Sequence, residues 1–317
     1  MKIKKLLLKE YKSLIVLVAV IIISAILTAG KTLSFSNLKN LFMQVSIQGI
    51  VGLGMTFSLL CAEFDLAVGS VLTASGMVFA LCLQSMSLGV SIVVSLFAGA
   101  IMGLIDGMII CKMKINSFIA TLATSYIFKG IAQMICDGQS IGIRDNAAAL
   151  TFSKIELFGL PIYFYIFIFL TIVCIYVLSR TRFGRNIYAT GGNYEAAKKS
   201  GIKVDFYKIM TFVIVGLSAA IAGILLTTRL QSATPIAGDS LNLAVIGAVI
   251  IGGTSTYGGV GSVQKSVIGL FIFGVIINTM DVMKVSGYFQ QVVRGALTVV
   301  IIGLTCYLNH RKDKSMI

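Results

Sequence analysis

Charge is scarce in this sequence. Only 12% of its 317 residues are Asp, Glu, Lys or Arg, while 57% are hydrophobic. A soluble domain carries roughly a quarter of its residues as charge, so this chain has too few to clothe a water-facing surface. Histidine occurs once, as His310 in a basic C-terminal stretch, which argues against a Ser-His-Asp triad. The six cysteines, Cys61, Cys82, Cys111, Cys136, Cys174 and Cys306, form no Cys-x-x-Cys pair. Cys306 beside His310 is one pair of ligands, short of a metal site. Nearly all the cysteines fall in or at the ends of apolar blocks and read as small packing residues. No nucleotide-binding engine is visible either. The nearest approach to G-x-x-x-x-G-K-[ST] is Gly30-Lys31-Thr32, which has Ala25 where the first glycine belongs and ends an apolar run instead of following a strand. G-x-G-x-x-G, H-E-x-x-H and G-x-S-x-G are also missing. The expectation is a chain with no catalytic residues, no metal and no cofactor of its own, which binds and conducts while any ATP is hydrolysed elsewhere. There is no N-x-[ST] acceptor, a mild fit to a prokaryote, and no low-complexity tract or internal repeat.

What the chain does have is long apolar blocks. Leu14 to Leu27, Ile92 to Leu104, Tyr163 to Leu178 and Val267 to Ile277 contain no charge, and the mean hydropathy is +0.96. About 20 apolar residues at 1.5 Å rise cross a bilayer. Backbone groups in hydrocarbon must bond to one another, which helices achieve locally. The blocks do not alternate with polar residues, which excludes a β-barrel. The pattern predicts an all-α polytopic membrane protein of about ten transmembrane helices. The expected spans lie near 13–29, 41–61, 67–86, 88–110, 117–135, 160–178, 209–228, 240–253, 263–280 and 289–308. Residues 1–317 form a single transmembrane domain in this reading. The eighth span is short and reads as partial or tilted; without it there are nine.

The net charge of +14 clusters between apolar blocks, as expected for a lipid-embedded protein and not for one that binds nucleic acid. Lys2, Lys4, Lys5, Lys9 and Lys12 precede the first block and resemble a secretory signal, but further spans follow, so the first helix is read as uncleaved. Ten spans starting inside put Lys112, Lys114, the seven basic residues of loop 179–208 and the basic C-terminus on one side, a roughly threefold excess over the other. Both termini are thus expected to be cytoplasmic. The largest outer segment is 136–160, and Pro161 stands where a helix can start.

Several segments carry chemistry. In the inner loop, Asn193 is a good N-cap, Glu195 lies in a first turn and Lys198 and Lys199 in a last turn, and Gly201 can end the helix in a left-handed conformation. A two-turn cytoplasmic helix results, whose small Ala196 and Ala197 admit a close partner; a solvated connector is the alternative. Glu63 and Asp65 sit between two spans and either border a pathway or cap a turn. Asp106, Lys129 and Arg294 fall inside spans, where lone charges face the bundle interior, pair or snorkel, the last being preferred for Lys129. Gly99, Gly103 and Gly107 repeat every fourth residue and make a groove for helix packing. Gly252 to Gly261 is expected to be a mobile reversal that exposes backbone groups to the cytoplasm, since no Lys-Ser/Thr follows to make it a phosphate cradle.

Taken in order, these segments resemble the ribose/xylose/arabinose-type permeases of ABC importers. The resemblance runs from about Ser36 to Leu304 and rests on Gly52-Leu53-Gly54-Met55-Thr56, Asp65-Leu66-Ala67-Val68-Gly69-Ser70, Phe118-Ile119-Ala120-Thr121-Leu122, Thr181-Arg182-Phe183-Gly184-Arg185, Gly191-Gly192-Asn193, Ala196-Ala197, Ser200-Gly201-Ile202, Ala222-Gly223, Ile251-Gly252-Gly253-Thr254-Ser255 and Gly258-Gly259. It implies a monosaccharide permease in a prokaryotic inner membrane. The implied partners are a second permease copy or homologue, an ABC ATPase that binds ATP and Mg, and an extracytoplasmic solute-binding protein. It also implies that Gly191, Gly192, Asn193, Glu195, Ala196, Ala197, Ser200 and Gly201 form the coupling helix that docks on the ATPase, and that Glu63, Asp65 and Asn242 are candidates for the translocation path. Three positions depart from the family pattern: Glu63-Phe64 replaces Gly-Ile, Asn242 stands in a segment lacking the usual Glu, and Asn116 stands where Pro is common. Other substrates compatible with the resemblance are a nucleoside, a furanone-like signal or a branched-chain amino acid. The alternative of another class is an ion-coupled secondary transporter using Asp106.

Overall fold

The computed structural model describes residues 12–314, with side chains up to residue 300. The lysines at 2, 4, 5 and 9, and the side chains of Cys306, His310 and the C-terminal basic residues, lie outside what is described. Among the described residues there are thirteen α-helices and only two pairs of two-residue strands. The helices are α1 (Lys12–Leu27), α2 (Phe35–Leu60), α3 (Val68–Cys82), α4 (Leu88–Met113), α5 (Ser117–Ile135), α6 (Ala147–Lys154), α7 (Ile162–Arg180), α8 (Arg182–Gly192), α9 (Tyr194–Lys199), α10 (Val204–Leu230), α11 (Leu241–Gly252), α12 (Val263–Val282) and α13 (Gly287–Lys314). Each expected span coincides with a helix. Six of them, α2, α4, α5, α7, α10 and α12, are long and apolar enough to cross a membrane. Helices α1, α3 and α11 are apolar but shorter.

Local chemistry accounts for the helix ends. Ser34, Asn116, Asn146, Thr181, Asn193 and Ser262 each accept a backbone N–H from the first turn that follows, meeting one of the four donors a helix start leaves open. Pro161 precedes α7 in an extended conformation.

Helix α10 is the hub, packed against α4, α2 and α3, with α12 and α11 completing the interior. Gly99, Gly103 and Gly107 line the α4 face that meets α10. A Cβ at Gly99 would come within 2.6 Å of the Ala220 Cβ, and one at Gly107 within 2.8 Å of the Ile209 Cα. Backbones this close gain dispersion contacts that larger side chains would forbid. Away from the hub, α1, α4 and α7 present Ile22, Phe97 and Phe169 outward, as an apolar solvent allows.

Two differences from the sequence expectation concern connections. Segment 179–208 holds an additional helix, α8, entered through the Thr181 cap. Segment 136–160 carries structure of its own: α6, a strand β1 (Ile141–Gly142) that pairs with the distant β4 (Ser232–Ala233), and β2 (Glu156–Leu157) paired with β3 (Leu160–Pro161) at its end. Turn chemistry in polar stretches is weakly periodic, so hydropathy alone passes over both.

Candidate functional site

Helix α9 is six residues long and capped at both ends. The Asn193 Oδ1 accepts the Ala196 N–H at 2.9 Å. At the other end, Gly201 adopts φ +80°, its N–H reaches the Lys198 carbonyl, and the Ile202 N–H reaches the Ala197 carbonyl, each at 3.1 Å. This is the paired closure of a Schellman motif. Ala197 is buried, while Asn193, Tyr194, Glu195, Ala196, Lys198, Lys199 and Ser200 are exposed. Helix α9 thus stands proud of the protein with one small residue inward. Gly191 and Gly192 close α8 just before it. Gly191 presses against the Leu60 carbonyl at the end of α2 so tightly that a Cβ there would collide with it.

The Gly-rich turn after α11 packs against the same place. The Gly259 N–H donates to the Leu60 carbonyl at 2.9 Å, and a Cβ at Gly258 would come within 2.7 Å of the Ala62 Cβ. The expectation of a reversal with open backbone groups is corrected here: the Leu60 carbonyl takes the Gly259 N–H, the Tyr188 hydroxyl donates to the Gly261 carbonyl, Ser255 bonds within the turn to Gly258 and Val260, and Gly191 packs against it, because positive φ at Gly258 and Gly259 lets the backbone fold flat against two helix ends.

Between α2 and α3 the chain leaves the helix at Ala62, which has φ +62°. Side chains of α5 satisfy the freed amides: Ser117 Oγ accepts from Phe64 at 3.2 Å and Thr121 Oγ1 from Leu66 at 3.0 Å. Asp65 is buried, and its Oδ1 accepts the Ala67 N–H at 2.8 Å, placing a carboxylate at the start of α3. Glu63 is also buried and forms an ion pair with Lys208, near the start of α10. The Tyr194 ring of α9 lies 5.1 Å from the Lys208 ammonium, within cation–π range. Glu63, Lys208, Tyr194, Lys198 and Lys114 line a cavity of about 870 Å³.

A second junction lies at the far end of α3's first turn. Helices α3 and α11 have 15 and 12 residues, short of the roughly 20 that span hydrocarbon. Their N-termini meet. Asn242 Oδ1 accepts the Gly69 N–H at 2.6 Å, and Thr73 Oγ1 accepts the Gly238 N–H at 3.0 Å. Side chains on Gly69 or Gly238 would strike the other's carbonyl. At α3 the first amides are taken up by Asp65 and Asn242, so the uncapped donors at this junction are those of α11. A cavity of about 520 Å³ opens beside them, bounded by Leu66, α5, the start of α11 and α13. There Arg294 Nη1 donates to Ser240 Oγ at 3.2 Å.

The path candidates therefore separate. Glu63 borders one cavity and Asn242 the other, while Asp65 is turned to its own backbone. Lys129 forms an ion pair with Asp239 at 2.7 Å, where free snorkelling was the preferred expectation. The irregular segment before α11 carries the carboxylate to it. Asp106 is fully enclosed, with the Thr124 hydroxyl close by but no well-formed hydrogen bond to either carboxylate oxygen. Sequence reasoning missed Lys208 as the partner of Glu63 and Arg294 as a cavity residue. The usable signal was that an acid in a helix break and a cation inside a span each require a partner.

The chain is 37% identical over 310 residues to the ribose import permease protein RbsC of Haemophilus influenzae, covering 96% of this chain and 95% of that one. It is 37% identical over 295 residues to the L-arabinose transport system permease protein AraH of Escherichia coli, covering 91% and 88%. It is 34% identical over 300 residues to the D-allose transport system permease protein AlsC of Escherichia coli, covering 93% and 91%. No solved structure matches the chain. The family model described as "Branched-chain amino acid transport system / permease component" matches residues 37–302, and the chain belongs to that family of transport permeases.

Proposed function

We propose that this chain is the membrane-spanning permease of an ATP-driven importer for a monosaccharide, working in a prokaryotic cytoplasmic membrane. Its relatives by name carry ribose, L-arabinose and D-allose. The observation that carries the mechanism is α9. A short helix capped at both ends and exposed on nearly every side suits docking into a partner. It rests through Gly191 and Tyr194 on the break before α3, so a push on it reaches the helices that border both cavities. In this reading α9, Glu63 and both termini face the cytoplasm, where an ATPase subunit binds ATP and Mg. A solute-binding protein delivers sugar from the other side, and a second permease copy or homologue completes the conduit. The mechanism is alternating access, with about ten helices crossing the bilayer.

The test is reconstitution into liposomes with the ATPase and binding protein. D-ribose, L-arabinose or D-allose should accumulate only with ATP inside and all partners present. Accumulation by the permease alone, driven by an ion gradient, would refute the proposal. It would favour the second reading, ion-coupled transport, for which the enclosed Asp106 carboxylate is the supporting observation.

A further inference from the structure

Arg294 lies about two turns into α13, on a helix read as membrane-spanning, yet it is poorly satisfied. A guanidinium carries five N–H donors. Here Nη1 has one partner, Ser240 Oγ, at 3.2 Å, and Nε is enclosed with no acceptor at all. Buried donors without acceptors are destabilising and rare in folded proteins; Nε is one such donor, and although Asp281 lies near enough to offset the charge of this half-buried side chain, the fork is left with donors to offer a ligand.

Its surroundings describe that ligand. The 520 Å³ cavity is within the range of small-molecule sites. Asn242 has its oxygen committed to Gly69, which leaves its NH₂ to donate. Gln291 faces the same space and offers both a donor and an acceptor. Asp239 is neutralised by Lys129, so it accepts hydroxyl protons but offers no free charge to an ammonium. The N-terminus of α11, where Ser240 makes no side-chain cap, adds open backbone donors. Phe118 and Leu122 add apolar surface to the same lining. Such a site, which combines planar hydrogen-bonding forks with aromatic and aliphatic surface, matches an uncharged ring bearing several hydroxyls. It matches a zwitterionic amino acid only in half: Arg294 suits the carboxylate, but among the lining residues no unpaired carboxylate awaits the ammonium.

We infer that Arg294, Gln291 and Asn242, with Phe118 as the apolar wall, form the solute-binding station of the conduit, and that its ligand is a neutral polyhydroxylated ring. This deepens the proposed function and rests on it. The arginine fork donates to neighbouring hydroxyls, the Asn242 amide to a third, and a C–H face of the ring packs on Phe118. The contacts are few, as a transit site requires, since a solute held tightly would not leave.

The chain has no tryptophan, so F118W places a single reporter in the cavity. The purified permease carrying F118W, in lipid nanodiscs, is titrated with D-ribose, L-arabinose and D-allose, and with L-leucine as the zwitterion. A saturable emission change with at least one sugar and none with L-leucine is expected. Adding R294Q should weaken the apparent affinity at least fivefold, and R294K should recover part of it. Q291L provides an independent variant that keeps the arginine, and should weaken binding severalfold. No saturable response to any of the three sugars, a response to L-leucine alone, or equal sugar affinities in R294Q and Q291L would each overturn the inference. Uptake with ATP and partners is measured in parallel on the unsubstituted protein. Sugar uptake without a cavity response removes only this inference, whereas absence of any ATP-driven sugar uptake removes the proposed function itself.

Discussion

Replacing Glu63 or Lys208 singly should cost stability, and replacing both together should cost little. The two side chains keep only 8% and 20% of their exposure. Removing one partner of a buried ion pair costs about 3–5 kcal/mol, because the other charge is left desolvated. That range must be reduced here. Lys208 borders a cavity of about 870 Å³ that admits water, and the Tyr194 ring at 5.1 Å retains roughly 0.5–1 kcal/mol of cation–π attraction. E63Q is therefore expected to cost about 1–2 kcal/mol. K208M strands the more enclosed carboxylate and should cost about 2–4 kcal/mol. The double variant removes both charges and keeps similar volume, so it should lie within about 1 kcal/mol of the parent. The interaction energy of the cycle is then about 2–6 kcal/mol in magnitude. The assay is unfolding in mixed micelles by titrated SDS, following helix content for all four proteins. Single losses that add in the double variant to within about 0.5 kcal/mol would refute the pair as an energetic unit.

Three further outcomes are expected. G107L should force α4 from α10, since even a Cβ would lie 2.8 Å from the Ile209 Cα; overpacking costs about 1–3 kcal/mol or more, seen as a lower unfolding midpoint, and an unchanged midpoint would contradict the close approach. Replacing Glu195, Ala196 and Ala197 with bulky residues should leave ATP hydrolysis by the assembled complex running while uptake falls at least tenfold, whereas N193A, which loses about 1 kcal/mol of capping, should have a smaller effect; unchanged uptake in the bulky variant would remove the coupling role of α9. N242A removes the acceptor of the Gly69 N–H at 2.6 Å, worth about 1–3 kcal/mol when a buried donor is orphaned, and should lower both the unfolding midpoint and uptake, while N242D, which keeps the acceptor oxygen, should retain more of the stability.

The spans could be read from residue order because a membrane helix needs only its own backbone and a run of apolar side chains. The ends of α9 were equally legible: Asn193 and Gly201 act on donors and carbonyls within a few residues of themselves. The stripe Gly99, Gly103, Gly107 identified a packing face without naming the helix that would meet it. The Gly252–Gly261 turn was misjudged because positive-φ glycines serve a mobile loop and a tightly pressed one alike, and only Leu60 and Gly191, distant in sequence, distinguish the two.

By itself, then, the order of residues determined where the apolar helices lie and how each short element begins and stops. The tertiary structure alone decided that Glu63 faces Lys208, 145 residues away, that Asn242 holds Gly69, 173 residues away, and that Arg294 reaches Ser240 beside a cavity. The physical reason is the solvent. In water a helix displays its packing face as an apolar stripe against a polar one. In lipid every face is apolar, so which helices meet is set by shape and by scattered polar contacts that become visible only when the helices are assembled.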